Sequence, residues 1–254
     1  MIASLPMYDW PELRDATDAW WHGIRGHLGG GPNLSRRADY STLWSDPQLL
    51  LSQTCGYPFT HEFKGRLKLV ATPHYAADGC AGPVYCSLIL ARQAMPLTEL
   101  RGATAAVNNP DSMSGMLALQ LVFAPLARNG VFFGKVIETG SHLASLAAVR
   151  DGLANVCAID AVGVALARAA IPDLLRGLVE IGRSPPVPGL PYVTVAGDID
   201  RLRAALAAAF ADPALASVRA MLLLEGYSIL TESDYDRIVD LEADMRRRGG
   251  LKLF

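Results

Sequence analysis

The sequence predicts an α/β protein of two lobes, and three observations lead to this fold class. Short apolar runs alternate with amphipathic stretches along the 254 residues, a pattern typical of layered α/β folds. Hydrophobic residues make up 51% of the chain and charged residues 19%, so the chain can bury a sizeable core. Four prolines within residues 185–191 fix an extended path by which the chain leaves its central part.

The N-terminal part contains four predicted elements. Residues 2–5 form a short apolar run that predicts a strand, and residues 11–27 predict a helix that ends at a run of three glycines. The Leu-Leu-Leu run within residues 47–54 predicts a short helix that leads into a Cys-Gly-Tyr-Pro turn. Residues 67–72 predict the next strand.

The middle part alternates strands with helices. The strongest strand signal is the apolar run of residues 85–92. Further strands are predicted at residues 103–107, 135–138, 156–159 and 178–181. Helices are predicted at residues 116–126, 142–150 and 162–170, and Gly152 is expected at the C-terminal cap of the second.

The last third of the chain predicts helices alone. These are residues 199–212, 213–224 and 232–248, and no strand is expected after Thr194. We therefore expect residues 1–86 and 191–254 to form a discontinuous first lobe and residues 87–190 to form the second. The chain would cross between the lobes near residues 83–85 and 190–192.

Composition excludes several classes of function. Lys and Arg total 23 and Asp and Glu total 25, so the basic excess of a nucleic-acid-binding protein is missing. We find no uncharged apolar run of 18 residues, and we expect no membrane span. The first seven residues lack a basic start and are too short for the core of an export signal.

The cysteines and histidines give no metal pattern. None of the four cysteines forms a C-x-x-C pair, and the five histidines lack the spacing of metal ligands. We expect free, buried thiols, with a bridge between Cys80 and Cys86 as the alternative. We expect neither a metal nor a cofactor.

The most specific functional pattern is Asn108-Asn109-Pro110-Asp111-Ser112-Met113-Ser114-Gly115, which opens the helix at residues 116–126. A helix start offers unpaired N–H groups and the positive end of the helix dipole. Ser112 and Ser114 add hydroxyl donors, and Gly115 would let a ligand approach the backbone. This start therefore predicts a site for a small anion. The alternative is a capped surface helix.

Other candidate residues also follow predicted strands. Tyr8 follows the first strand, Ser141 and His142 follow residues 135–138, and Asp160 follows residues 156–159. Open α/β sheets bind ligands at this edge. The structural alternatives are a solvent-facing helix residue for His142, an N-cap for Asp160 and core packing for Tyr8 and Tyr85.

The sequence resembles the type II periplasmic-binding-protein-like proteins of the phosphate/phosphite/phosphonate ABC-transporter substrate-binding group. The resemblance implies two lobes, each with a mixed or parallel sheet flanked by helices, and a ligand cleft between them. It also implies non-catalytic binding of a small anionic solute. The matching segments are residues 5–9, 53–58, 71–75, 100–102, 108–115, 139–142, 158–160 and 188–194.

The resemblance assigns the oxyanion to Ser112, Ser114 and Gly115, and the lining of the cleft to Ser141 and His142. We add four residues to the candidate ligand-binding set: Tyr8, Cys55, Tyr85 and Asp160. An ABC permease is the partner implied, nucleic acid is not expected, and we expect a monomer.

Two features depart from the family pattern. The chain as given shows no export signal or lipid-attachment cysteine, so the cytoplasm stays open beside the periplasm that the family implies. Asp111 places a carboxylate beside the oxyanion site, where it would repel a dianion. Two alternative functions are an enzyme resembling menaquinone-pathway proteins, with His142 and Asp160 as acid and base, and an effector-sensing module.

Overall fold

The computed structural model describes residues 1–36 and 39–253. The chain divides into two compact units, each formed by separate segments. We call them unit 1 and unit 2. Unit 1 comprises Met1–Ala76, Ala81–Pro83 and Pro188–Asp234, and unit 2 comprises Ala77–Cys80, Val84–Val187 and Tyr235–Phe254.

Strands and helices alternate along most of the described chain. The strands are β1 Ile2–Ser4, β2 Leu49–Gln53, β3 Lys68–Tyr75, β4 Cys80–Ala81, β5 Val84–Tyr85, β6 Ser87–Ala91, β7 Thr104–Val107, β8 Lys135–Glu138, β9 Val156–Asp160, β10 Val179–Arg183, β11 Val187–Pro188, β12 Tyr192–Thr194 and β13 Leu224–Ser228. The α-helices are α1 Arg14–His27, α2 Tyr40–Ser45, α3 Gly56–Thr60, α4 Ala118–Phe123, α5 His142–Arg150, α6 Ala161–Ala170, α7 Ile199–Ala211, α8 Ala216–Met221 and α9 Glu232–Arg247.

Unit 1 is built on a five-stranded sheet in the order β1-β2-β12-β3-β13. β1 and β2 are parallel, and β12 runs antiparallel to both β2 and β3. Helix α1 is amphipathic and packs on α7, burying Trp20 and Trp21. The indole of Trp20 donates a hydrogen bond to the hydroxyl of Tyr192, 3.1 Å away.

Two predictions for unit 1 are wrong. Residues 49–53 form a strand instead of part of a short helix, because the run is buried at every position between β1 and β12. An apolar run of this length fits a buried strand as well as a helix. Residues 224–228 form β13, where no strand was expected. This strand pairs with β3 and includes Gly226, which weakens the strand pattern.

Unit 2 is built on a five-stranded sheet in the order β10-β6-β9-β7-β8. β7 is parallel to both β8 and β9, whereas β6 is antiparallel to β9. β6 and β9 are buried along their whole length, as their continuous apolar sequences predict. Phe123, Phe132 and Phe133 form an aromatic cluster in this unit.

The end of the chain differs from the expected lobe boundary. We expected residues 191–254 in the first lobe, but residues from Tyr235 onwards belong to unit 2. Long-range hydrogen bonds hold this segment there. Gln120 donates to the carbonyl of Leu251, 2.8 Å away, and Lys252 N–H donates to the carbonyl of Gly130, 2.9 Å away.

Cys86 and Cys157 are buried thiols, as predicted, whereas Cys55 and Cys80 are half-buried, and the alternative bridge between Cys80 and Cys86 is not formed. Burial raises the pKa of the Cys86 and Cys157 thiols.

Within residues 1–36 and 39–253, no group of three or more His, Cys, Asp or Glu side chains could hold a metal ion. No single helix in that part is long and apolar enough to cross a membrane. The bent pair Ile199–Ala211 and Pro213–Met221 has the length and the apolar composition of a span only when its two helices are taken together.

We expect the Tyr192→Phe substitution to destabilise unit 1. It removes the acceptor of the Trp20 indole and leaves a buried N–H without its partner, which costs about 1–3 kcal/mol. Urea unfolding followed by tryptophan fluorescence measures the effect. Tyr40→Phe, at a ring that is 38% exposed, is the control and should leave the midpoint unchanged. Equal midpoints for Tyr192→Phe and the parent would show that the hydrogen bond from Trp20 to Tyr192 does not stabilise the fold.

Candidate ligand-binding site

Three strand-to-helix turns gather at one edge of the sheet in unit 2. β9, β7 and β8 are neighbours and run parallel, so their carboxyl ends lie at the same edge. α6 begins directly after β9, and α5 begins four residues after β8. The helical segment Met113–Leu126 begins shortly after β7. Three helix N-termini therefore bring their positive dipole ends to one edge.

Each of these helices is capped by a side chain from its own turn. In every case an oxygen of the N-cap residue accepts the N–H three residues further on, as in ordinary capping. The three bonds are Gly115 N to Ser112 Oγ (3.0 Å), Ala144 N to Ser141 Oγ (3.1 Å) and Gly163 N to Asp160 Oδ1 (2.7 Å). The structural interpretation as a cap is thus correct for the helix start at Ser112 and for Asp160, and the cap at Ser141 was not predicted.

The first turn after β7 is wider than an α-helical turn. Residues Met113–Leu117 are π-helical, and the Leu117 N–H donates to the carbonyl of Ser112, 3.0 Å away. Single π-helical turns often occur at functional sites. Ser112 and Ser114 are buried, at 5% and 4% exposure. Asp111 beside them is exposed and is not the helix cap.

Side chains from the three turns are in contact. Ser114 Oγ lies 2.8 Å from His142 Nε2, and Asp160 Oδ2 lies 3.6 Å from the same nitrogen. The other ring nitrogen, His142 Nδ1, is buried without a hydrogen-bond partner among residues 1–36 and 39–253. In a Ser-His-Asp triad the carboxylate would instead bind the nitrogen that faces away from the serine. The geometry is therefore not that of a nucleophilic triad.

Burial governs the charge state of His142. The side chain is 19% exposed, and desolvation lowers the pKa of His142, while the nearby Asp160 carboxylate opposes this shift. The imidazole is thus neutral at neutral pH. A neutral imidazole and a hydroxyl can each donate or accept, so the Ser114–His142 pair can adjust its hydrogen-bond direction to a ligand.

Gly115 has a structural role that the sequence did not predict. A Cβ at this position would lie 1.8 Å from Asn108 Oδ1. The glycine therefore makes room for the Asn108 side chain, and a role of Gly115 in ligand binding stays a prediction. Asn108 Oδ1 is buried and has no hydrogen-bond partner in the part of the chain that the structure describes. Asn108 opened the predicted motif, but no local signal distinguished it from a turn residue.

Tyr85 belongs to the same end of unit 2. It lies two residues before Ser87, which pairs with Asp160 across β6 and β9. The neighbouring Cys86 carbonyl accepts the N–H of Ala161, 3.0 Å away. Tyr85 is 3% exposed. Seven of the nine candidate residues thus lie in unit 2, and the polar candidates among them share one sheet edge.

Tyr8 and Cys55 lie in unit 1. They follow the parallel strands β1 and β2, so they lie at one edge of that sheet. The ring of Tyr8 packs edge-on against Tyr75, with centroids 5.7 Å apart. The hydroxyl of Tyr75 accepts a hydrogen bond from Gln53 Nε2, 3.0 Å away. A ligand-binding role for Tyr8 and Cys55 stays a prediction.

The fold and the linked helix starts are compatible with a solute-binding protein, and the sequence match gives the family. Residues 46–243 match the family of ABC transporter, phosphonate, periplasmic substrate-binding proteins, and the chain belongs to that family. The predicted fold class and family are confirmed. No curated protein matches the chain in sequence.

Solved structures agree in fold. A binding-protein component of an ABC phosphonate transporter from Pseudomonas aeruginosa superposes with a TM-score of 0.75 at 18% identity, over 97% of this chain and 87% of that one. PhnD1 from Prochlorococcus marinus, in complex with methylphosphonate, gives 0.72 at 13% identity, over 97% and 98%. A chloride-bound protein from Xanthomonas citri gives 0.70 at 19% identity, over 98% of each chain.

The family determines the class of function. Its members are substrate-binding receptors of ABC transporters, which bind a small molecule and are not enzymes. The family is periplasmic, which is the compartment that the resemblance implied. Nothing in the comparisons supports the enzyme alternative with His142 and Asp160 as acid and base.

We expect the buried His142 to make stability fall at acidic pH. Unfolding exposes the imidazole, whose ordinary pKa is about 6.5. Because the pKa of His142 is lower in the folded protein, the unfolded state binds more protons below about pH 6.5. The contribution of neutral His142 to the free energy of unfolding is therefore present above that pH and is lost as the pH falls below it. Thermal unfolding without ligand at about pH 7.5 and 5.5 measures this. His142→Gln should lose less stability over the interval than the parent. An equal loss in both proteins would contradict this account.

Proposed function

We propose that this receptor binds a phosphonate- or phosphate-like oxyanion at the unit 2 edge formed by the three helix starts. The observation that carries the proposal is the contact of Ser114, His142 and Asp160, which joins the three turns. Helix N-termini are ready anion sites, because their backbone N–H groups point outward and their dipoles favour negative charge. Three of them at one edge favour an anion more than one alone.

The capping bonds are compatible with this role. A helix begins with four N–H groups that lack an intrahelical acceptor, and a cap of this kind satisfies one of them. Further donors are the hydroxyls of Ser112, Ser114 and Ser141. His142 adds an imidazole that is neutral when the site is empty and that can donate from either nitrogen when it is protonated.

Asp160 restricts the charge of the solute. Asp160 is 2% exposed, and its carboxylate lies 3.6 Å from the His142 ring nitrogen that contacts Ser114. A buried carboxylate repels a fully deprotonated dianion but accepts a hydrogen bond from a protonated ligand oxygen or from an amine. We therefore favour a singly protonated oxyanion or an aminated phosphonate. The methylphosphonate bound to PhnD1 supports a phosphonate as the solute.

The partner in this proposal is an ABC permease, to which the receptor delivers its solute, and the receptor acts as a monomer. A thermal-shift series with phosphate, phosphonates, sulfonates, carboxylates and amines tests the solute class. At a hundred times its dissociation constant, a ligand stabilises the folded protein by about 2.7 kcal/mol. Stabilisation by carboxylates or amines alone would overturn the oxyanion proposal.

We expect Ser114→Ala to weaken binding of methylphosphonate. The substitution removes a hydroxyl donor and costs about 0.5–1.5 kcal/mol for a neutral hydrogen bond, or ~1.5–3 kcal/mol if the bond is to a charged oxygen. Calorimetric titration measures the change. Ser233→Ala, at an exposed serine of α9, is the matched control. Equal affinity in Ser114→Ala and the control would place the solute elsewhere.

Anion binding should be coupled to proton uptake by His142. A bound anion favours the charged imidazole, so it raises the pKa of His142, which burial lowers in the empty protein. A ligand that raises the pKa of a group binds best where that group is protonated. Affinity should therefore increase as the pH falls from about 8 to 5, the range in which histidines titrate.

The His142→Gln variant separates this effect from titration of the solute itself. Glutamine keeps a hydrogen-bond donor but does not titrate, and the solute is the same in both proteins. The variant should show a shallower pH dependence and less proton uptake, measured by calorimetry in two buffers of different ionisation enthalpy. Identical slopes would remove His142 from the site.

A further inference from the structure

Asn108 lies between two of the three turns and contacts both. Its main chain joins two of the three turns, because its carbonyl oxygen accepts the N–H of Gly140 in the turn after β8, 2.8 Å away. Its side-chain oxygen lies against the first turn of the helical segment after β7. There, the position of a Cβ on Gly115 would be 1.8 Å from Asn108 Oδ1 and 3.3 Å from Ser112 Oγ.

This side-chain oxygen is a buried acceptor without a donor. No hydrogen-bond partner for Asn108 Oδ1 exists among residues 1–36 and 39–253. An unsatisfied buried acceptor is costly, and most buried polar atoms in proteins have a partner. The glycine at position 115 keeps the space that this oxygen needs. The edge thus maintains an unsatisfied acceptor against the first turn of this helical segment.

We propose that Asn108 is a specificity-determining residue, whose side-chain oxygen accepts a hydrogen bond from a protonated oxygen of the bound solute. The inference rests on the proposed function, since it requires an oxyanion at this edge. An oxyanion that bears a proton satisfies Asn108 Oδ1. One that bears none places a lone pair against it and leaves the acceptor unpaired.

Phosphate and sulfate distinguish the two cases. They are tetrahedral oxyanions of similar size, but near neutral pH phosphate keeps at least one proton and sulfate keeps none. We expect the parent to prefer phosphate. In Asn108→Leu the phosphate affinity should fall by about tenfold or more, as for a lost hydrogen bond to a charged partner, while the sulfate affinity stays within about threefold.

Two further variants keep the test decisive. Asn108→Asp keeps an acceptor of the same size but adds a negative charge, so it should weaken both anions and preserve or increase the preference for phosphate. Asn155→Leu is the matched control. Asn155 Oδ1 accepts the N–H of Thr104 at the start of β7, at the opposite edge of the same sheet, 2.9 Å away. This control should leave both affinities unchanged.

The outcomes separate the inference from the proposed function. If the parent binds phosphate and Asn108→Leu weakens phosphate and sulfate by the same factor, Asn108 is only structural and the inference is overturned. If Asn108→Leu does not fold, a lower phosphate preference in Asn108→Asp overturns it. If sulfate does not bind the parent, the inference is overturned when the phosphate affinity of Asn108→Leu falls by less than about threefold. If the parent binds no oxyanion at all, the proposed function itself fails.

Discussion

The parallel pairing of β7 with both β8 and β9 is the constraint on which the site depends. Parallel strands end at the same edge, so the three helices that follow them begin together. Reversal of any one strand would carry its helix start to the opposite edge and separate Ser114, His142 and Asp160. The sheet topology therefore brings the three turns together, and the side chains of the turn residues then make the contacts.

Positive helix starts, a buried carboxylate and a neutral imidazole lie together at this edge. The helix starts are positive, Asp160 is a buried carboxylate whose Oδ1 accepts a helix N–H, and burial lowers the pKa of His142 so that its ring is neutral. The edge thus offers donors and acceptors together, and its imidazole carries no charge near neutral pH. A transport receptor must release its solute, and polar groups that bind without a permanent ion pair suit reversible binding.

Much of the fold follows from the sequence, and the failures have identifiable causes. Buried strands such as β6 and β9 have continuous apolar sequences, and α5 was predicted at its observed bounds. β2 was mistaken for a helix because a short apolar run has no period that distinguishes the two. β13 and the last segment of unit 2 depend on pairing with distant residues, which leaves no local pattern.

The candidate site shows the same division between local and non-local information. The rule that ligands bind at the carboxyl ends of strands predicted three residues that the structure brings together, Ser114, His142 and Asp160. Capping and ligand binding were treated as alternatives for Ser112 and Asp160, although a cap occupies only one of the four N–H groups at a helix start. Contact between Asn108 and Gly115 spans seven residues, and Gly115 lies within the wide π-helical turn. A single sequence cannot predict such a turn, because its residues also fit an ordinary α-helical start.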